Sequence, residues 1–287
     1  MQASVVTNLL LPLALGVVML DLGLGLTVAD FRRVLALPRV VLVGLGVQSA
    51  LLPTVAFAIA VGFGLSPELA VGLMLLAASP GGATANIYSH LARGDVALNI
   101  TLTAANSVIC LLTLPLVVNF SLAYFMEAGQ YVAPPVRKVV EVALIIVAPV
   151  ALGMLMRALA PQVSERLAGP VRVASVLVLV LVIGAALGAE WERLPGYFAA
   201  VGLACLMFNL VSMGAGYLVP LALRIGRRQA IAIAMEIGIH NGTLAVFVAL
   251  NVLGNAAMSV PAAIYSTIMF VTAALFGWWI NRRPVAT

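Results

Sequence analysis

Charged residues are scarce in this sequence. Lysine and arginine contribute 15 residues and aspartate and glutamate 10, which together are 9% of the 287 residues. Soluble chains are roughly 25% charged. Hydrophobic residues make up 63% of the chain, and the mean hydropathy is +1.16. This composition excludes an ordinary soluble domain and predicts an all-α polytopic membrane protein, whose unit is a spanning helix of about 20 residues.

Several functional signatures are also absent. Cys110 and Cys205 lie inside apolar segments and match no metal or redox spacing, so we expect them to be packing residues. No motif brings together a nucleophile, a base and an orienting group, which argues against an enzyme. The net charge of +5 could suggest nucleic acid, but the basic residues fall in short loops between apolar segments. We therefore expect a lipid bilayer, and no nucleic acid, as the partner.

Apolar segments divide the chain into nine candidate spans. They fall approximately at 4–28, 40–63, 67–92, 96–126, 138–157, 172–190, 198–223, 229–252 and 258–281. The first lacks a basic n-region and a convincing cleavage site, so we expect a retained span rather than a signal peptide. The linker 29–39 is basic and amphipathic, which predicts a position at the membrane interface.

The distribution of basic residues predicts the orientation. With the N-terminus outside, twelve of the 15 basic residues fall on the inner side. These are Arg32, Arg33, Arg39, Arg93, Arg157, Arg166, Arg172, Arg224, Arg227, Arg228, Arg282 and Arg283. The outer side holds Arg137, Lys138 and Arg193. Because inner loops carry the excess of basic residues, we predict an inner (plasma) membrane protein with its N-terminus outside and its C-terminus in the cytoplasm.

Two of the apolar segments are interrupted. One contains Ser-Pro-Gly-Gly-Ala-Thr-Ala-Asn at 79–86, and the other contains Glu-Ile-Gly-Ile-His-Asn-Gly-Thr at 236–243. Proline and glycine weaken a helix interior, and broken backbone at membrane depth is tolerated only where protein or a water-filled cavity satisfies it. Paired breaks in two halves of a chain are typical of the binding site of a secondary transporter.

The interrupted segments are the third and the eighth, which run in opposite directions under the predicted topology. Segments 1–4 would then match segments 6–9 as inverted repeats, with the fifth unpaired. A 5+5 arrangement that lacks its first helix gives this count. The ends of broken helices present positive dipoles that favour anions and carbonyl groups that favour cations. The pattern therefore predicts an anionic substrate carried with a cation.

Glu236 is the strongest candidate for a functional residue because an intramembrane carboxylate is costly. A bound monovalent cation would compensate its charge; the alternative is a structural glutamate bonded to nearby backbone. Neutral oxygen ligands lie at similar depth in Gln48, Asn86, Asn99, Thr103 and Asn106. The last three share one face of the fourth segment, and oxygen ligands suit hard cations. Each alone is equally typical of helix packing.

The sequence leaves the roles of three other ionisable residues open. Asp21 is a second intramembrane acid, which could reach the inner interface or line a cavity. His90 is expected near the inner surface. His240 could coordinate a cation, carry a proton or only form a hydrogen bond.

At these residues the sequence resembles the bile acid:sodium symporter family. The matching stretches are 79–86, Leu-Ala-Arg-Gly-Asp-Val-Ala-Leu at 91–98 and Glu-Ile-Gly-Ile-His-Asn-Gly-Thr-Leu-Ala at 236–245. The resemblance implies a core domain with two crossing discontinuous helices, at approximately 40–126 and 198–281. It also implies a panel domain, at approximately 4–28 and 138–190, that moves against the core.

The resemblance further implies two sodium sites. Asn86, Asn99, Thr103 and Glu236 would form the first, in which Ala85 replaces a usual hydroxyl and Asn99 a common serine. In the second, Gln48 and Glu236 would act with the carbonyls of Ile237 and Ile239, and His240 replaces a usual glutamine. Ala83, Thr84, Asn106 and Asn241 are the implied substrate-binding residues.

The function expected from these features is sodium-coupled import of an organic anion by alternating access. A bile acid-like compound, pantoate or a keto acid would fit small polar pocket residues. A proton-coupled or uncoupled carrier with the same fold is the alternative, since His240 and Ala85 depart from the family pattern.

Overall fold

The computed structural model describes residues 11–126, 136–189 and 191–282, and these ranges are almost entirely helical. The helices are α1 (Leu11–Gly25), α2 (Val28–Ala36), α3 (Pro38–Gly62), α4 (Pro67–Ala78), α5 (Ala85–Leu91), α6 (Val96–Phe125), α7 (Val136–Leu159), α8 (Pro161–Ala189), α9 (Pro195–Ala222), α10 (Arg227–Gly238), α11 (Gly242–Val252) and α12 (Ala257–Arg282). The one β-type pairing in the described ranges is an isolated bridge.

Six helices in these ranges are long and apolar enough to cross a bilayer, namely α3, α6, α7, α8, α9 and α12. Helices α1 and α2 make a seventh if they are counted as one span bent by 66°. The predicted segments 67–92 and 229–252 each contain two shorter helices separated by a break. The chain is therefore an all-α polytopic membrane protein, while the count of nine spans stays a prediction.

The outer surface of the bundle carries large apolar side chains. Leu112 and Leu116 on α6 are 73% and 68% exposed, and Leu181 on α8 is 70% exposed. A water-soluble monomer rarely exposes contiguous apolar surface of this kind. These helices therefore present the surface that a hydrocarbon environment requires.

Helices α1, α7 and α8 pack against one another as one group. The contact between α1 and α7 depends on two glycines. A Cβ atom on Gly23 would collide with the backbone of Val150, and a Cβ atom on Gly153 would collide with the backbone of Gly23 and Leu24. Small residues allow this close backbone approach between membrane helices.

The remaining helices surround α4 and α10, which are the most enclosed elements. Every residue from Leu69 to Ala78 is buried, as is every residue from Ala230 to Gly238. Helices α3 and α6 pack on α4, and α6 and α9 pack on α10. The first half of each interrupted segment, α4 or α10, thus lies in the interior, where broken backbone can be satisfied by protein.

The linker 29–39 forms most of the amphipathic helix α2, which contains no buried residue. Its start is fixed by a capping box, in which the backbone amide and the hydroxyl of Thr27 both donate to Asp30 Oδ2, at 2.7 and 2.6 Å. Helix α2 packs against α6. The position of this amphipathic segment at a membrane interface stays a prediction.

Candidate functional site

The first break begins where α4 ends at Ala78. Ser79 is extended, with φ −74° and ψ 145°, a conformation that the following proline favours. Its hydroxyl donates to the Leu76 carbonyl at 2.6 Å, which satisfies one of the exposed carbonyls at the helix end. Pro80 has no amide hydrogen, and α5 starts only at Ala85. The sequence Ser-Pro-Gly-Gly therefore terminates the helix locally.

The second break follows Gly238, the last residue of α10. Ile239 has φ −114° and ψ 89°, outside the helical region. Asn241 then caps α11, since its Oδ1 accepts a hydrogen bond from the Leu244 amide at 3.0 Å. The predicted interruptions are thus confirmed at both positions.

The two breaks pair with each other in antiparallel fashion. The Gly82 amide donates to the Ile239 carbonyl at 2.7 Å, and the Asn241 amide donates to the Pro80 carbonyl at 2.9 Å. Gly81 and His240 form the isolated bridge between them. Backbone groups released by the breaks are therefore satisfied mutually, as membrane depth requires. We call residues 79–86 and 236–242 together the crossover.

Glu236 is fully buried beside this crossover. Thr103 Oγ1 donates to Glu236 Oε2 at 2.6 Å, and Asn106 Nδ2 donates to Oε1 at 3.3 Å. The Gly81 amide also bonds to the carboxylate. Within the described part of the chain, no lysine or arginine forms an ion pair with Glu236. The carboxylate is thus held by neutral donors alone.

Amide side chains around Glu236 share an arrangement that suits a cation. Gln48 Nε2 donates to the Ser79 carbonyl at 2.9 Å, and Asn99 Nδ2 donates to the Ala232 carbonyl at 2.8 Å. The buried acceptors without a hydrogen-bond donor among the described residues include Gln48 Oε1, Asn86 Oδ1, Asn99 Oδ1 and Asn106 Oδ1. Buried polar atoms are normally paired. Side-chain carbonyl oxygens and carboxylates are the ligands that hard cations prefer.

The remaining predicted sodium ligands lie on the same break. Ile237 and Ile239 are fully buried, and the Ile239 carbonyl already accepts the Gly82 amide. The His240 ring contacts the Ser79 carbonyl through Nδ1 at 3.2 Å, while Nε2 has no partner among the described residues. The ring stacks on Phe208 at 5.7 Å between centroids. His240 and Gln48, which were predicted as ligands of the same sodium site, therefore both contact the Ser79 carbonyl.

The four predicted substrate residues are distributed around the crossover. Ala83 lines a cavity of about 520 Å³, and Thr84 precedes α5 in a half-buried position. Asn106 instead contacts Glu236, and Asn241 is buried as the cap of α11. Asn86, predicted as a sodium ligand, borders the same cavity as Ala83. The assignment of these residues to a substrate stays a prediction.

The cavity lies between the α1, α7 and α8 group and the helices α5 and α6. Its lining includes Asp21, Arg157 and Arg172 on one side and Asn86 and His90 on the other. Of the two locations considered for Asp21, the structure shows the cavity. The arginines had been assigned only to inner loops by the charge distribution, and their convergence on the cavity was not predicted from the sequence.

Two further residues that support the break were missed. Asn209 Nδ2 and the Tyr265 hydroxyl both donate to the Gly238 carbonyl, at 3.0 and 2.9 Å. They satisfy the carbonyl of the last residue of α10. Asn209 could have been found as the lone asparagine inside the apolar segment 198–223. Tyr265 has no comparable sequence signal, because a tyrosine is common in apolar segments.

Comparison with known proteins identifies the family. A profile of the Sodium Bile acid symporter family matches residues 12–195. A probable sodium/metabolite cotransporter of rice chloroplasts, BASS2, is 27% identical over 275 residues, which cover 95% of this chain and 64% of the relative. An uncharacterized sodium-dependent transporter of Bacillus subtilis, YocS, is 24% identical over 93% of this chain and 78% of its own length.

The rabbit ileal sodium/bile acid cotransporter is 27% identical over 183 residues, which cover 63% of this chain and 52% of that protein. The chain spans 64% of the length of each of two rice relatives that it matches. The family is one of transporters rather than enzymes. Because the profile covers more than half of the residues, the chain belongs to the Sodium Bile acid symporter family.

Proposed function

We propose that this protein is a secondary transporter that couples sodium to the import of an organic anion. The observation that carries the proposal is the environment of Glu236. A fully buried carboxylate is held by neutral donors and lies beside amide oxygens that have no donor among the described residues. The names of the relatives, which are sodium/metabolite, sodium-dependent and sodium/bile acid transporters, support sodium as the cation.

The proposed first sodium site uses Glu236 with Asn86, Asn99 and Thr103. The proposed second site uses Glu236 with Gln48, the carbonyls of Ile237 and Ile239, and His240. The side chain of Ala85 supplies no oxygen, so the first site would rely more on side-chain amide oxygens. Each site includes residues from both interrupted segments or from helices that hold them, so cation binding would stabilise the crossover itself.

The proposed architecture has a panel and a core. The panel comprises α1, α7 and α8, whose mutual packing supports the assignment; the core comprises the helices that enclose the crossover. The antiparallel pairing of the two breaks supports inverted repeats of the 5+5 type without the first helix. Nine spans in the plasma (inner) membrane, with the N-terminus outside and the C-terminus cytoplasmic, complete the proposal.

The proposed cycle is alternating access. Sodium binds at Glu236 and orders the crossover, and the anion then binds beside it in the cavity that Ala83 and Asn86 border. Movement of the core against the panel would expose this cavity to the two sides in turn. A bile acid-like compound, pantoate or a keto acid is the proposed substrate class, with Thr84, Asn106 and Asn241 as further candidate contacts.

Uptake into proteoliposomes tests the proposal. Radiolabelled taurocholate, pantoate and pyruvate are offered under an inward sodium gradient, an equal potassium gradient and a pH gradient without sodium. We expect uptake of at least one anion with sodium only, and its loss in Glu236→Gln. Uptake driven by the pH gradient alone would favour the proton-coupled alternative, for which His240, with no partner for Nε2 among the described residues, is a candidate proton carrier.

A further inference from the structure

Charged side chains from three helices converge on one wall of the 520 Å³ cavity. Asp21 comes from α1, Arg157 from α7 and Arg172 from α8. The opposite wall carries Asn86 and the exposed His90 from α5. Asp21 lies within a predicted span, where an ionisable residue is rare and marks a substrate or ion pathway. The cluster is separate from the crossover residues around Glu236.

Arg172 is oriented by a buried acid. The Asp21 side chain is 5% exposed and accepts the Ser175 hydroxyl at 3.1 Å, which fixes the carboxylate. Arg172 Nε lies 3.9 Å from Asp21 Oδ1, while the Arg172 side chain is 56% exposed. Because guanidinium carries five N–H donors, the nitrogen nearest Asp21 leaves the two terminal amino groups for another partner. They form no hydrogen bond within the described part of the chain.

Arg157 adds a second cation to the same wall. Its Nη1 donates to the Leu24 carbonyl at 2.8 Å, which holds the side chain at the end of α1. Two arginines and one aspartate give this wall a net charge of +1. One carboxylate would neutralise it, and guanidinium groups match a carboxylate in geometry. The wall is therefore matched to a monoanion in number of charges.

We propose that Arg172, positioned by Asp21 and Ser175, acts with Arg157 to bind the carboxylate of the substrate and selects a monocarboxylate. This inference rests on the proposed function, since it names the substrate class and the residues on the panel that recognise it. Arg172 and Arg157 are binding residues, and Asp21 is a positioning residue.

Binding measurements on the purified full chain test the inference. In saturating sodium, the thermal stability of the wild type is followed during titration with pantoate, pyruvate or cholate, and with pantolactone as a neutral relative of pantoate. We expect at least one monocarboxylate to stabilise the protein and pantolactone to have no effect. Arg172→Gln and Arg157→Gln should each raise the apparent Kd at least about tenfold, since each removes charge-assisted hydrogen bonds.

A matched control lies on the same helix. Arg166 on α8 is exposed and does not line the cavity, so Arg166→Gln should leave the apparent Kd unchanged. Arg172→Lys keeps the charge but loses the fork of donors and should give an intermediate Kd. Asp21→Asn keeps an acceptor for Ser175 and raises the net charge of the wall, so it should increase the affinity for succinate relative to pyruvate at least about fivefold.

The outcomes separate this inference from the proposed function. Sodium alone should stabilise wild type and Arg172→Gln with the same half-saturating concentration, because neither arginine contacts Glu236. If sodium stabilises the protein but Arg172→Gln binds the anion as tightly as wild type, only the present inference is wrong. Equal weakening by Arg166→Gln, no monocarboxylate binding to wild type, or an unchanged succinate preference in Asp21→Asn would also overturn it.

Discussion

Replacing Gly81 with alanine would place a methyl group directly against the Glu236 carboxyl. A Cβ atom at Gly81 meets both carboxylate oxygens and the carboxyl carbon of Glu236. The backbone of Gly81 pairs with His240 across the crossover, so it cannot move away without breaking that pairing. Glu236 is fully buried and held by Thr103 and Asn106. The carboxylate must therefore shift from its donors.

The size of the effect follows from these contacts. Overpacking a buried position costs about 1–3 kcal/mol of stability, which corresponds to a fall in Tm of roughly 2–5 °C for a chain of this size. A shifted carboxylate also loses alignment with the amide oxygens around it. We therefore expect Gly81→Ala to weaken sodium binding at least about tenfold, which costs about 1.4 kcal/mol of binding free energy.

The assay is thermal unfolding of purified protein over a sodium titration, with the half-saturating concentration as the readout. Gly46→Ala is the matched control, because a Cβ at Gly46 meets no atom within 4 Å although it lies two residues before Gln48. It should change stability by less than about 1 kcal/mol and leave sodium binding unchanged. Wild-type sodium affinity in Gly81→Ala would refute the assignment of Glu236 as a ligand.

Two further predictions concern packing and the Glu236 hydrogen bonds. Gly23→Val should lower Tm by several degrees, because the valine side chain would collide with the backbone of Val150. In the control Gly184→Ala, the added Cβ meets no atom within 4 Å, so Tm should not change. Equal Tm values for the two variants would contradict the α1–α7 contact. Thr103→Val removes the 2.6 Å hydrogen bond to Glu236 and should weaken sodium binding about tenfold. Thr103→Ser keeps the hydroxyl and should retain the wild-type sodium affinity. Equal sodium affinities in the two variants would argue against a role for the hydroxyl.

Local chemistry was sufficient to predict the breaks. Pro80 and the following glycines favour the end of α4, because proline disfavours the helical conformation of the residue before it and glycine weakens a helix interior. The spacing of Asn99, Thr103 and Asn106 predicted one shared helix face, and all three lie toward α10 in the structure. Thr103 and Asn106 bond to Glu236, while Asn99 bonds to the Ala232 carbonyl. Helical periodicity thus predicted the face but not the partner.

Contacts between distant segments were not predictable in the same way. Asp21 and Ser175 are 154 residues apart, and their hydrogen bond exists only because α1 packs on α8. Apolar periodicity in a membrane helix carries little information about which neighbour it contacts, since lipid and protein faces are equally apolar. The same reason hid the Gly23 and Gly153 contact. The arginine pair on the cavity wall therefore became visible only in three dimensions.

The central claim is that Glu236 binds sodium, and Glu236→Gln tests it with little change in shape. The glutamine amide can donate to Thr103 Oγ1 if the hydroxyl hydrogen turns from Glu236 to the Asn99 carbonyl, which lies 3.0 Å away. The variant should therefore fold while lacking the charge. The control is the wild-type protein, measured in potassium and in choline.

The most direct measurement is the Tm of wild type and Glu236→Gln in sodium, potassium and choline chloride at equal ionic strength. Binding to the native state stabilises it by about 2.7 kcal/mol at a concentration one hundred times Kd, which is a rise of roughly 5 °C or more. We predict this rise for wild type in sodium alone and its loss in Glu236→Gln. An equal rise in Glu236→Gln, or in wild type with potassium or choline, would contradict the account.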